Sequence, residues 1–182
     1  MPNRWQQFQK SSFRMRWTRI KKELENKLSP NLQGRLNYHI TVYTKDYSAS
    51  KSANRAWITF DKKEIVNIST EDFFKFNRYF YNKSTPTSCA TSESEITERS
   101  EGNIIEKGEF SAYDFTECSY HFLNMNIEEA LTHESPIINM FAVLDKRVGK
   151  RRLLKLTEKD LHPLVMNFLQ LRIENEGFVT IH

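Results

Sequence analysis

The chain has 182 residues, 38% of them hydrophobic and 13% aromatic, and its 27 Lys and Arg against 23 Asp and Glu leave a net charge of +4. This is enough apolar material for a single domain with a real core, and only marginally enough for two, and it suits a globular chain, not a disordered one. No stretch approaches the roughly 20 apolar residues of a membrane-spanning helix, and Cys89 and Cys118 are too few for a disulfide framework.

Residues 1–11 read as a short extension, and "MPNRWQQFQKSS" lacks the apolar core of a secretory signal. Phe13, Trp17, Ile20, Leu24 and Leu28 then recur at helical spacing, with Ser11 or Ser12 placed to cap. Arg14, Arg16, Arg19, Lys21 and Lys22 fill most of the remaining circumference. Such a face serves either as the solvated side of a helix packed on a sheet or as a contact for an anionic surface. Pro30 and Gly34 break the helix. Leu36, Tyr38, Ile40 and Val42 alternate with polar residues as in a half-buried strand. "RAWITF" and "EIVNIS" supply two more strands around a turn at Asp61–Lys63, which predicts a three-stranded antiparallel sheet.

Thr70 caps a further helix in which six aromatics, Phe73 to Tyr81, point to a place in the core. Residues 83–107 are rich in Ser, Thr and Glu, and this composition predicts a flexible internal loop with Cys89 exposed on it. The rest is mainly helical. Phe115, Cys118, Phe122 and Met125 form one stripe, and Asn126 with Glu129 starts a short helix. Ser135–Pro136 opens the next, whose stripe is Ile137, Phe141, Leu144 and Val148. A last helix runs from near Pro163 to Gly177, and "FVTI" adds a short final strand. The expected fold is α+β in one domain: an N-terminal helix, a three-stranded antiparallel sheet and a mainly helical C-terminal half.

Charge is unevenly spread. Residues 1–60 hold 12 basic and 3 acidic side chains, residues 61–145 hold 7 and 16, and residues 146–182 hold 8 and 4. Segregation of this kind marks either an anionic partner or complementary segments paired inside one fold. The stretch "DKRVGKRRLLK", Asp145 to Lys155, makes the strongest functional suggestion. Gly149 reads as the left-handed C-cap of the preceding helix, with Lys146 and Arg147 facing the negative end of its dipole. Lys150, Arg151, Arg152 and Lys155 then project from a loop before Thr157 begins the next helical segment. Their candidate partners are phosphates, an acidic protein or the acidic middle of this chain.

Catalytic motifs are missing from the sequence: no phosphate-binding glycine loop, no H-E-x-x-H, no C-x-x-C and no nucleophile elbow. Glu117, Cys118 and His121 have ligand-like spacing, but no second pair completes a zinc set. Cys118 on an apolar stripe reads as a buried structural thiol. Glu128 and Glu129 are adjacent and point apart, Glu25-x-Lys27 lacks the strand of a metal-dependent nuclease, and His39, His133 and His162 read as surface or capping residues. No cofactor or metal is expected.

Taken together, "RWTRIKKELENKL", "LQGRLNYHITVY", "RAWITFDKKEIVNIST" and "LDKRVGKRRL" resemble a family of uncharacterised bacterial proteins, over most of residues 15–177. Its members tend to carry Gly in the hairpin turn where this chain has Lys62. The resemblance implies a bacterial cytoplasmic protein and no particular activity. With two cysteines read as reduced thiols, the expectation is a cytoplasmic, non-enzymatic binding protein with a protein partner. Nucleic-acid binding is the alternative, and a hydrolase or nuclease assembled only in three dimensions is the third reading. Candidate contacts are Arg16, Arg19, Lys22, Arg147, Lys150, Arg151, Arg152 and Lys155.

Overall fold

The computed structural model describes residues 17–41, 54–73 and 104–178. Outside them lie Arg16, Cys89, the Ser11 and Ser12 caps, the aromatics beyond Phe73, most of the 83–107 segment and most of the expected final strand. The described elements are α1 (Trp17–Lys27), β1 (Leu36–Thr41), β2 (Arg55–Phe60), β3 (Lys63–Ser69), α2 (Ala112–Leu123), α3 (Ile127–Leu131), α4 (Pro136–Leu144), α5 (Lys150–Leu156) and α6 (Pro163–Asn175). The fold is α+β, as the alternation and helical stripes require.

The three strands pair antiparallel in the order β1-β2-β3, with Tyr38 opposite Ile58 and Ala56 opposite Ile68. A register shift between Ile58 and Thr59 leaves Ile65 as the extra residue of a bulge on β3. Asp61 and Lys62 turn β2 into β3 with φ of 49° and 68°. Positive φ at both central residues is the type I′ signature, which matches strand twist but suits glycine better than lysine. Asp61 is held there by Arg35, whose Nε lies 2.8 Å from its Oδ1, while the Asp61 N–H donates to the Arg35 carbonyl at 2.9 Å.

Leu36, Tyr38, Ala56, Ile58, Val66 and Ile68 form the buried face of the sheet. α2 packs against this sheet and against α1 and α4, and α4 packs on α6. Phe141 of α4 joins the layers, with ring centres 5.4 Å from Tyr38, 5.5 Å from Phe115 and 5.4 Å from Phe122. Each such buried ring contributes roughly 1.5–3 kcal/mol. α1 runs beside the free edge of β1, where the Tyr38 N–H donates to Glu25 Oε1 at 3.5 Å. Glu25 therefore serves the sheet edge, while Lys27 Nζ lies over the Phe122 ring at 5.9 Å. Burial raises the Tyr38 hydroxyl pKa, and the nearby Glu25 and Asp145 carboxylates add to the shift.

Several local expectations need correction. Ser69, not Thr70, caps the helical turn that follows β3, accepting from the Asp72 N–H at 3.2 Å. Thr70 is buried and accepts from the Ala112 N–H at 3.1 Å, so it ties that turn to α2. Ile105, inside the segment read as a flexible loop, is 2% exposed and belongs to the core. The helix containing Phe141 ends at Leu144, so Val148 completes its buried stripe from the turn beyond it.

Candidate functional site

The stretch from Asp145 to Lys155 divides at Gly149. In its first half, Asp145 is 1% exposed and accepts from the Arg147 N–H at 2.8 Å, from Nε at 3.0 Å and from Nη2 at 2.7 Å. This bond to Asp145 raises the Arg147 pKa. Lys146 donates its N–H to the Lys27 carbonyl at 2.8 Å and its Nζ to the Asn26 carbonyl at 2.9 Å. Both basic residues are thus fastened to the fold, not arrayed on a helix dipole.

Gly149 is not a left-handed C-cap. It has φ −80° and ψ 163° and is the N-cap of α5, so Lys150 to Leu156 form a helix where a loop was expected. Thr157, expected to begin the next helical segment, is instead the C-cap of α5. A glycine permits either backbone state, and the apolar pair that decides between them is Leu153 and Leu156. Three residues apart, they bury one face of a helix. Arg151 and Lys155, four apart, share the opposite face, are exposed and form no ion pair among the described residues. Arg152 reaches Glu128 Oε1 at 2.6 Å, and Lys150 lies over the Phe178 ring at 5.1 Å.

The remaining candidates stand on α1, where Arg19 is bound to Glu23 at 2.9 Å and Lys22 is exposed. Basic and acidic segments meet within the molecule in Arg35–Asp61 and Arg55–Glu64, both at 2.5 Å, as well as in Arg152–Glu128. Part of the charge segregation is therefore complementarity inside the fold.

A second feature was only half visible in the sequence. A cleft of 550 Å³ opens between α2 and the connection from α3 to α4. Asp114, Glu117, Cys118 and His121, spaced by three, one and three, line it from one face of α2. His133, Glu134 and Ser135 line the other side, with Phe110, Ile137 and Ile138 as apolar wall. Cys118 is half-buried at this cleft, which corrects the expectation of a buried structural thiol. Its Sγ lies 3.3 Å from the Ser135 hydroxyl. That hydroxyl makes no capping bond to α4 although Ser135 is the N-cap residue.

His133 Nδ1 accepts from the Ser135 N–H at 3.0 Å, which places its ring proton on Nε2. Asp114 is partly committed, since Oδ2 accepts from the Ser111 N–H at 2.9 Å and from its hydroxyl at 2.7 Å. His121 Nε2 lies 3.6 Å from Glu117 Oε1. The spacing on α2 carried the signal for one wall; the other wall comes from a connection no periodicity could aim. No group of three or more potential ligands fit to hold a metal ion occurs among the described residues.

These elements define an α+β protein in which a short basic helix and an acidic, thiol-bearing cleft are carried on a helical half docked to a three-stranded sheet. The chain belongs to the SF0329 protein family, whose model matches residues 16–173. No curated protein and no solved structure matches it. No helix among the described residues is long and apolar enough to cross a membrane.

Proposed function

We propose that the chain is a cytoplasmic, non-enzymatic binding protein that docks an acidic protein partner on the exposed face of α5. The observation that carries this reading is the pair Arg151 and Lys155, held one turn apart with no intramolecular ion pair among the described residues. Two cations on a helical turn suit a discrete carboxylate patch. A nucleic-acid groove needs a continuous positive track. Here Arg152 is neutralised by Glu128, and Glu158 and Asp160 directly follow the helix.

The test is fluorescence anisotropy of a labelled glutamate-rich peptide and of mixed-sequence single- and double-stranded DNA, each across a salt series. The expected result is peptide binding that weakens roughly tenfold or more when Arg151 and Lys155 both become alanine, with weaker DNA binding. Tight, sequence-independent DNA binding with a steep salt slope, lost in the same double variant, moves the assignment to nucleic acid. Absence of both leaves α5 a solvated face and removes the proposal.

A further inference from the structure

The cations of α5 do not stand on a purely polar surface. A helix turns by about 100° per residue. With Leu153 and Leu156 buried, Arg151 and Lys155 therefore face away from the core, and Leu154 stands about 60° to one side of Arg151. Leu154 is half-buried: part of it packs on the core, and the rest is open beside the two charges. Lys150 lies on the same flank, one turn before Leu154, and its Nζ stands over the Phe178 ring at 5.1 Å.

The position of that ring is set by the end of α6. Gly177, at φ 65°, closes the helix in the left-handed region, and the Phe178 N–H returns to the Ile173 carbonyl at 3.0 Å. Phe178 is half-buried, like Leu154. The face of α5 is thus a ridge of two cations with an apolar strip, Leu154 and Phe178, along one side.

An extended glutamate-rich tract would satisfy the ridge and leave the strip in water. Exposed ion pairs alone give little affinity, and interfaces are held by desolvated apolar anchors with charges at their rim. A partner that uses both features carries carboxylates and an aliphatic group on one face. We infer that the acidic partner presents an amphipathic helix with two carboxylates one turn apart and an aliphatic side chain beside them, an inference that rests on the acidic-partner reading of α5.

The spacing gives the pattern. A helix carrying Glu-x-x-Leu-Glu, laid antiparallel to α5, is related to the Arg151, Leu154 and Lys155 face by a two-fold axis. Its second Glu then meets Arg151, its first meets Lys155, and its Leu falls on the side of Leu154 and Phe178. Glu158 and Asp160, exposed just beyond α5, repel further acid past Lys155 and confine the acidic pair to one turn.

The test is an amide NMR titration of the full chain, carried to millimolar concentration with three alanine- and glutamine-based peptides of equal charge. The first holds Glu-x-x-Leu-Glu at its centre. The second moves the leucine to the opposite helix face, as Glu-x-Leu-x-Glu. The third is the first with proline between the two glutamates, which breaks the helix and keeps the charges. The first peptide is expected to bind roughly tenfold more tightly than the others, with shifts at the Arg151, Leu154 and Phe178 amides. Leu154→Ala and, independently, Phe178→Ala should each narrow that preference to about threefold or less. Phe178 lies outside α5, so its variant removes half of the strip and leaves the helix in place. Equal binding of all three peptides, lost when Arg151 and Lys155 become alanine, overturns the helical partner and leaves the acidic-partner reading standing. A preference for the first peptide that neither variant changes overturns the apolar strip. Shifts confined to other faces, or none at all, remove both readings.

Discussion

Arg172 is 2% exposed, and its guanidinium is spent entirely on the protein. Nη1 donates to the Val143 carbonyl at 2.7 Å and to that of Asp145 at 2.5 Å, Nη2 donates to Val148 at 2.8 Å, and Nε donates to Glu176 at 2.9 Å. It thereby satisfies carbonyls that the end of α4 cannot satisfy itself and fixes the turn that launches α5. Arg172→Met keeps much of the length and strips this donor from the Val143 and Val148 carbonyls, while the Asp145 carbonyl keeps the Val148 N–H at 3.0 Å, so urea denaturation should show a loss of about 3–5 kcal/mol. A loss below about 1 kcal/mol would mean that water replaces the guanidinium. His39 makes a different point at the same scale. It stacks on Trp57 at 5.0 Å, with Nε2 3.0 Å from Thr59 Oγ1. Desolvation, then the Lys21 charge, lowers its pKa from the ordinary 6.5, against a weaker opposite pull from Glu64. The unfolded chain therefore takes up this proton first. The His39 contribution to stability is present above pH 6.5 and is lost as pH falls from there to the folded midpoint. An NMR titration should place that midpoint below 6.5, and His39→Asn should flatten stability across the same window. A midpoint at or above 6.5 contradicts the burial of the ring.

At the scale of elements, Gly149 is the decisive position. As the N-cap of α5 it has negative φ, and a Cβ there meets no atom within 4 Å. Gly149→Ser should therefore stabilise the protein by about 0.5–1 kcal/mol, through a capping hydroxyl and a less flexible unfolded chain. A left-handed C-cap would lose a similar amount, so the sign of the change in thermal midpoint separates the two geometries. Why the sequence misled here is physical. A glycine after a buried stripe fits the end of one helix as well as the start of the next, and KRRLLKL is too short for its two buried leucines to outweigh six nearby cations. Where periodicity was long the reading was sound: Ile20, Leu24 and Leu28, then Leu36 and Tyr38 of β1, and the stripe of Ile137, Phe141, Leu144 and Val148 are buried as expected, while Ile40 is half-buried. The caps Asn126 and Ser135 and the proline start of α6 were legible for the same reason. The bonds of Arg147, Lys146 and Arg172 were not, because each joins a side chain or amide to a carbonyl or carboxylate whose position only the folded chain sets. The cleft was legible along α2 and hidden across it.

Across the whole molecule, the first described helix and the turn after α4 are stitched together over more than a hundred residues of chain. Leu28 and Asp145 form an isolated antiparallel bridge, the Ser29 N–H donates to the Leu144 carbonyl at 3.1 Å, and the Lys146 N–H donates to Lys27 at 2.8 Å. Closing such a loop costs chain entropy that only the assembled core returns, so the seam should not form or open alone. Its surroundings agree: Leu24, Leu28, Leu144 and Val148 are all nearly inaccessible to solvent, and Arg172 grips the same turn from behind. The position of Lys146 makes the test sharp, because its side chain is exposed while its amide belongs to the seam. Native-state hydrogen exchange should find the Ser29 and Lys146 amides among the slowest, with opening free energies equal to the global value and the same denaturant slope. Both should lose protection together in Arg172→Met. If Lys146 instead exchanges through a low-slope local opening while the α4 amides stay protected, α1 peels away by itself. The basic turn would then be a hinge on the surface and not the clasp between α1 and the end of α4.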